Sequence, residues 1–172
     1  MAPDAVLLTS QKFRVLRRQA PGTDGRTRPF DFIAHPGGAI ILPLLDGERV
    51  VLIRNLRHTL GRELLELPAG TLDPPESPAE CARRELEEET GYAAAELAPL
   101  LSFQTTPGFC DEVLHAFVAT GLRKTAARCE PTERIEPVIM PLGEALGAVM
   151  DGRISDGKTI ATLLYFERAR RP

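Results

Sequence analysis

Arg84, Glu85, Glu88 and Glu89 carry most of the chemistry that this 172-residue chain offers. Glu85 and Glu89 are four residues apart and Glu88 is three from Glu85, so on a helix the three carboxylates share one face. Like charges at that spacing cost an isolated helix about 0.2–0.5 kcal/mol per pair. They also lie toward the end of the helix where the backbone dipole favours cations. A divalent cation reverses the penalty, because hard Mg²⁺ takes carboxylate oxygens and keeps water for a phosphate substrate. The alternative is a solvated acidic face, with Arg84 pairing Glu88 four residues on.

The helix that must present these groups is marked at both ends. Ser77-Pro78-Ala79-Glu80 combines a capping serine, proline at the first helical position and a glutamate three residues on, and Gly91 supplies the stop. Ala79, Ala82 and Leu86 are expected to form its buried stripe. Before it the chain reads as strands. Residues 12–19 and 30–35 flank a Pro21-Gly22 turn region, which predicts a hairpin. Residues 39–45 and 49–53 flank Asp46-Gly47, a second hairpin signal, with Pro43 moving the first of these strands toward a sheet edge or bulge. Further strands are expected at 97–103, 113–119 and 137–140, and helices at 142–150 and 158–168, with Leu163-Leu164-Tyr165-Phe166 packing into the core. The class is mixed α/β.

Composition limits the partners. Lys and Arg total 21 against 24 Asp and Glu, a net charge of -3, which argues against broad nucleic-acid binding. No apolar run approaches the roughly 18 residues needed to cross a bilayer, and no secretory leader is evident, so no membrane partner is expected. Cys81, Cys110 and Cys129 are widely spaced and match no metal pattern; they read as free thiols of a reducing cytoplasm. His35 and His58 are expected to be structural or solvent-facing, and His115 partly exposed.

Read outward from the carboxylates, the chain shows Gly70, five residues, Glu76, seven residues, then Arg84-Glu85-Leu86-Glu87-Glu88-Glu89-Thr90-Gly91. This resembles the Nudix box, G-x5-E-x7-R-E-U-x-E-E-x-G-U with U a bulky aliphatic residue, and departs from it only at Tyr92. The resemblance implies a mixed sheet sandwiched between helices, here with antiparallel strands added at the N-terminus. It also implies Mg²⁺-dependent cleavage of a nucleoside diphosphate linked to another group, with Mn²⁺ as an alternative metal. By position, Glu85, Glu88 and Glu89 become metal ligands and Arg84 a residue that pairs with a box glutamate and orients it. Glu76 ties the loop to the helix, and Gly70 and Gly91 serve tight turns.

Glu66-Leu67-Pro68-Ala69-Gly70 before the box, together with Pro107 at 16 residues beyond Gly91, is similar to ADP-ribose pyrophosphatases. That similarity implies the Ala69 carbonyl as a further metal ligand, and Arg57, Glu66, Pro107 and Gly108 facing the substrate. Asn55-Leu56 stands where the family usually has glutamine and an aromatic, so a stacking role is lost at Leu56. An acidic residue on a later loop completes such sites as catalytic base; Glu133 is the first candidate, with Glu130 and Glu136 as alternatives. Asp111-Glu112 would approach either the substrate or a partner subunit. The implied assembly is a homodimer in which residues 1–34 form the dimerisation element and 35–172 the hydrolase domain. Rival readings are a hydrolase of another nucleotide sugar such as GDP-mannose, and a non-catalytic nucleotide sensor on the same fold.

Overall fold

The computed structural model describes residues 3–125 and 134–171. The elements run β1 (Ala5–Thr9), β2 (Arg14–Pro21), β3 (Thr27–Ala34), β4 (Gly38–Pro43), β5 (Arg49–Arg57), β6 (Arg62–Glu66), β7 (Ala69–Thr71), α1 (Pro78–Thr90), β8 (Tyr92–Gln104), β9 (Val113–Lys124), β10 (Ile135–Pro141), α2 (Leu142–Met150) and α3 (Gly157–Ala169). They form three sheets, ordered β1-β2-β3, β10-β5-β6 and β7-β4-β9-β8. Among the described strands only β4 and β9 form a parallel ladder, the other ladders being antiparallel, and an isolated parallel bridge joins Ile33 to Cys110.

β4 explains the layering. Its six residues are buried without alternation, as expected of a strand covered on both faces. Ile40 and Leu42 join a core with Leu52, Leu67, Leu163 and the inner faces of α2 and α3. Ala39 and Ile41 point the other way, to Cys81, Ala82 and Leu86 of α1. The sheet is thus sandwiched between helices, as the box resemblance implies.

The β2–β3 hairpin forms over the expected residues. Residues 39–45 and 49–53 do not make the second expected hairpin. The Asp46-Gly47 turn closes, with Leu45 N donating to Arg49 O at 2.9 Å, but the pairing ends at a single bridge between Leu44 and Val50. Pro43 brings no N–H, and the Leu44 N–H goes to Ala119 of β9 at 2.9 Å. β4 is therefore committed to β9, and β5 leaves for another sheet. Nor does Pro43 put β4 at an edge: the proline is the last residue of a central strand, where a missing donor is tolerated.

α1 has the anticipated ends. Ser77 Oγ accepts from Glu80 N, Glu80 Oε2 accepts from Ser77 N, and Gly91 takes φ 69°. Its buried stripe is Cys81, Ala82 and Leu86; Ala79 is exposed. In α3, Leu163 and Phe166 pack inward, whereas Leu164 and Tyr165 face solvent, because consecutive helical residues cannot all face one core. Among the described residues no helix is long and apolar enough to cross a membrane.

Candidate active site

The segment from β7 to the end of α1 builds one wall of a cleft of about 1020 Å³. Arg84 organises it. Its Nε and Nη2 grip Glu76 at 3.1 and 2.7 Å, its Nη1 reaches Glu85 at 2.6 Å and Glu88 at 3.2 Å, and Nη2 also donates to Thr71 O at 3.3 Å. Glu76 in turn accepts from Asp73 N at 2.7 Å, so it fastens the loop to the helix. The Arg84 guanidinium holds the Glu76 carboxyl below its usual range, and Glu76, followed by Glu85, raises the Arg84 pKa further. One fixed cation thus offsets much of the repulsion among the acidic side chains of α1.

Glu85, Glu88 and Glu89 all line the cleft beside Ala69 and Gly70. Glu89 is almost wholly buried and accepts from Ala69 N at 2.8 Å. Gly70 is not the tight turn the sequence suggests, since its φ is not positive. A Cβ there would land on the Glu85 carboxylate and lie 2.6 Å from its Cγ, so the glycine makes room for that side chain. Among the described residues no three acidic, histidine or cysteine groups already stand as a closed ion cage. The donor set nevertheless fits a hard divalent cation: carboxylate oxygens on one helix face, opening to a cleft, with space reserved for one of them. Cys81, beneath them, has its thiol pushed up to about 12 by burial, with Glu76 and Glu85 adding to the effect; it is an inert packing residue.

The same cleft is lined by a cationic group, and the Glu89 charge acts on one member of it, Arg57. Arg57 reaches Glu66 through Nε and Nη2 at 2.8 and 2.5 Å, and Lys158 Nζ reaches the same carboxylate at 2.6 Å. Lys158 also donates to Asp156 at 2.8 Å; Asp156 caps α3 by accepting from Thr159 N, and Thr159 Oγ1 accepts from Leu67 N at 2.9 Å. Burial works to raise the Glu66 pKa, but Arg57 and Lys158 prevail and leave it below the ordinary glutamate value. Arg57, Asp156 and Lys158 line the cleft. Glu66 does not face it as the sequence reading expects: its side chain has no exposed surface and lies behind the two cations it holds. Lys158 and Asp156 carry no role in the sequence reading, although Asp156 before a helical run is an N-cap signal that fixes Lys158 in the first turn.

The remaining expectations divide. Glu112 lines the cleft, and Asp111 binds the backbone of His35. Pro107 and Gly108 are exposed on the loop after β8 and are not part of the cleft wall in the single chain. Leu56 is half-buried on β5 and is likewise off the wall. Glu133 and Glu130 lie outside the described residues; Glu136 is exposed on β10. His115 Nδ1 meets Ser102 Oγ at 2.9 Å, away from the acidic wall. Cys81 and Cys110 are free thiols, and Cys129 falls outside the described residues.

Known proteins resemble the chain over nearly all of its length. A protein of Bacillus methanolicus named methanol dehydrogenase activator is 34% identical over 171 residues, covering 95% of this chain and 92% of its own. An ADP-ribose pyrophosphatase of Bacillus subtilis (strain 168) is 34% identical over 146 residues, 84% of this chain and 79% of that protein. A GDP-mannose pyrophosphatase of Citrobacter koseri is 38% identical over 138 residues, 75% and 72% of the two chains. The crystal structure of an ADP compounds hydrolase superposes with a TM-score of 0.84 over 97% of this chain and 91% of its own, at 23% identity, which speaks to the fold. Residues 34–163 match the NUDIX domain. With the full box set on a capped helix and that match spanning most of its length, the chain belongs to the Nudix family.

Proposed function

We propose that the chain is a Mg²⁺-dependent hydrolase that cleaves the diphosphate bond of ADP-ribose to AMP and ribose 5-phosphate. The observation that carries this reading is that two opposite charge sets line one cleft: Glu85, Glu88 and Glu89 on α1, and Arg57 with Lys158. A diphosphate ester needs both, a cation-binding face for its metal and fixed cations for its oxygens. Relatives named ADP-ribose pyrophosphatase support the substrate.

In this reading Glu85, Glu88, Glu89 and the Ala69 carbonyl hold the divalent ion, with Mn²⁺ as the alternative. When bound, the ion neutralises phosphate oxygens and lowers the pKa of a bound water. Arg84 holds Glu85 and Glu88 through the same Nη1 and aims them. Arg57 and Lys158, fixed by Glu66, orient the diphosphate, so little ordering is left for the moment of reaction. Glu133 serves as general base, with Glu130 and Glu136 as alternatives. Pro107 and Gly108 would meet substrate only as the loop after β8 is completed by a second copy.

The assembly is a homodimer, with residues 1–34 as its contact element and residues 35–172 as the hydrolase. Support comes from the N-terminal sheet, where Val6, Leu7, Leu8, Phe13 and Phe30 are all exposed, an apolar surface that a lone soluble chain seldom presents. A cytoplasmic setting suits the free thiols. A second reading, hydrolysis of a GDP-mannose-like sugar nucleotide, is left open by Asn55-Leu56 and supported by relatives named for that activity. A silent sensor is disfavoured by the intact carboxylate set. Comparing kcat/KM for ADP-ribose, GDP-mannose, NADH and dinucleoside polyphosphates with Mg²⁺, in ¹⁸O-water to locate the attacked phosphorus, tests the assignment. ADP-ribose is expected to lead; a wide margin for GDP-mannose replaces it.

A further inference from the structure

The segment that follows β8 is fastened to the end of β3 by a zipper of hydrogen bonds. Ile33 N donates to Phe109 O at 2.8 Å, Asp111 N to Ile33 O at 3.1 Å, and His35 N to Asp111 Oδ1 at 2.8 Å. The next residue, Glu112, ends this zipper with its side chain on the cleft wall. Its Oε2 accepts from Thr105 Oγ1 at 2.7 Å, and its Oε1 lies 3.4 Å from Nδ1 of His35. That same Nδ1 is 3.1 Å from the amide nitrogen of Gly37.

One ring nitrogen cannot serve both neighbours at once. Without a proton, Nδ1 presents a lone pair, accepts from Gly37 N–H, and turns that lone pair on the Glu112 carboxylate. With a proton, it donates to Glu112, and the Gly37 amide loses its acceptor. Gly37 is buried and held at φ 95°, with Leu72 and the Val113 carbonyl packed where a Cβ would be, so it has little freedom to find another partner. The His35 and Glu112 side chains are only 13% and 24% exposed, so water does not easily replace either contact. The charged groups around the ring are Asp111 and Glu112 from the segment after β8, and Arg18 of β2, whose charge acts on Asp111.

We propose that His35 is a positioning residue: by choosing between Gly37 and Glu112 as the partner of its Nδ1, it sets where the Glu112 carboxylate stands on the cleft wall. An anion there is repelled by phosphates and suits hydroxyl groups of the ligand, so Glu112 is the acceptor whose placement His35 controls. The consequence for turnover rests on the ADP-ribose reading; the exchange of partners at Nδ1 does not.

Two measurements separate these. In the free protein, ¹⁵N-labelled histidine and backbone amide resonances are followed from pH 5 to 8.5. The Gly37 amide is expected to shift along the same curve as the His35 ring, with Nδ1 unprotonated at the alkaline end; in His35→Gln the Gly37 shift stays flat. A Gly37 amide indifferent to the ring, or Nδ1 protonated at both ends, overturns the proposal whatever the substrate is. With ADP-ribose, Glu112→Gln is expected to raise KM about tenfold and His35→Gln about threefold, the double variant no more than Glu112→Gln alone, and the pH dependence of KM to flatten in His35→Gln. Additive KM effects, or a pH profile unchanged by His35→Gln, contradict it. Absence of any ADP-ribose turnover by the unsubstituted protein removes the substrate reading and leaves the resonance test to decide the exchange of partners at Nδ1.

Discussion

Replacing Glu66 by glutamine keeps its volume and removes one buried negative charge. In the native protein that carboxylate receives three charge-assisted bonds, from Arg57 at 2.8 and 2.5 Å and from Lys158 at 2.6 Å. Breaking a buried ion pair by removing one partner typically costs about 3–5 kcal/mol. Two features reduce that here: the Arg57 and Lys158 side chains are 37% and 19% exposed and recover some hydration, and the amide oxygen still accepts one bond. The expected loss is about 2–3 kcal/mol, which for a domain of this size is a fall in Tm of roughly 5–10 °C. The pH dependence follows from the lowered native pKa of Glu66. Its stabilisation is complete above the unfolded-state value near ~4.3 and is lost as pH falls through the lower native one. Urea unfolding of both proteins from pH 7 to pH 3 reads this directly. A constant gap down to about pH 5 that closes in strong acid is expected; a gap under about 0.5 kcal/mol at pH 7, or one undiminished at pH 3, refutes the reasoning.

Gly70→Ala places a methyl group on the Glu85 carboxylate; turnover is expected to fall by about 10²-fold or more while Tm moves by only a few degrees, since the displaced side chain lines an open cleft. Near-normal kinetics in that variant would show the space to be unneeded. Removing residues 1–34 is expected to convert a sedimenting dimer to monomer at micromolar concentration, because it removes the exposed apolar sheet; a dimer of unchanged strength would locate the contact elsewhere.

Where structure is decided by neighbours in the chain, the sequence is readable. The ends of α1 follow from Ser77, Glu80 and Gly91, and the face shared by Glu85, Glu88 and Glu89 follows from helical spacing alone. The acidic half of the cleft was therefore legible before any fold was known. Long-range decisions were not. Nothing local says that Leu44 gives its N–H to Ala119, which is what sends β4 and β5 into separate sheets. The short β6 and β7 carry too few residues for a pattern to show, and their positions depend on contacts such as Leu67 N with Thr159 Oγ1, 92 residues away. For the same reason the family resemblance sets Glu66 facing the substrate, whereas Lys158 arriving from α3 closes it off.

The most direct test of the central claim, that the α1 carboxylates grip a divalent cation against a diphosphate, is the rate of ADP-ribose cleavage as Mg²⁺ is titrated, in the unsubstituted protein and in Glu85→Gln and Glu89→Gln. Turnover is expected to vanish in EDTA, to return with added Mg²⁺, and to fall at least 10²-fold at saturating Mg²⁺ in each variant while both remain folded. Full activity in EDTA, or in either variant, contradicts the claim.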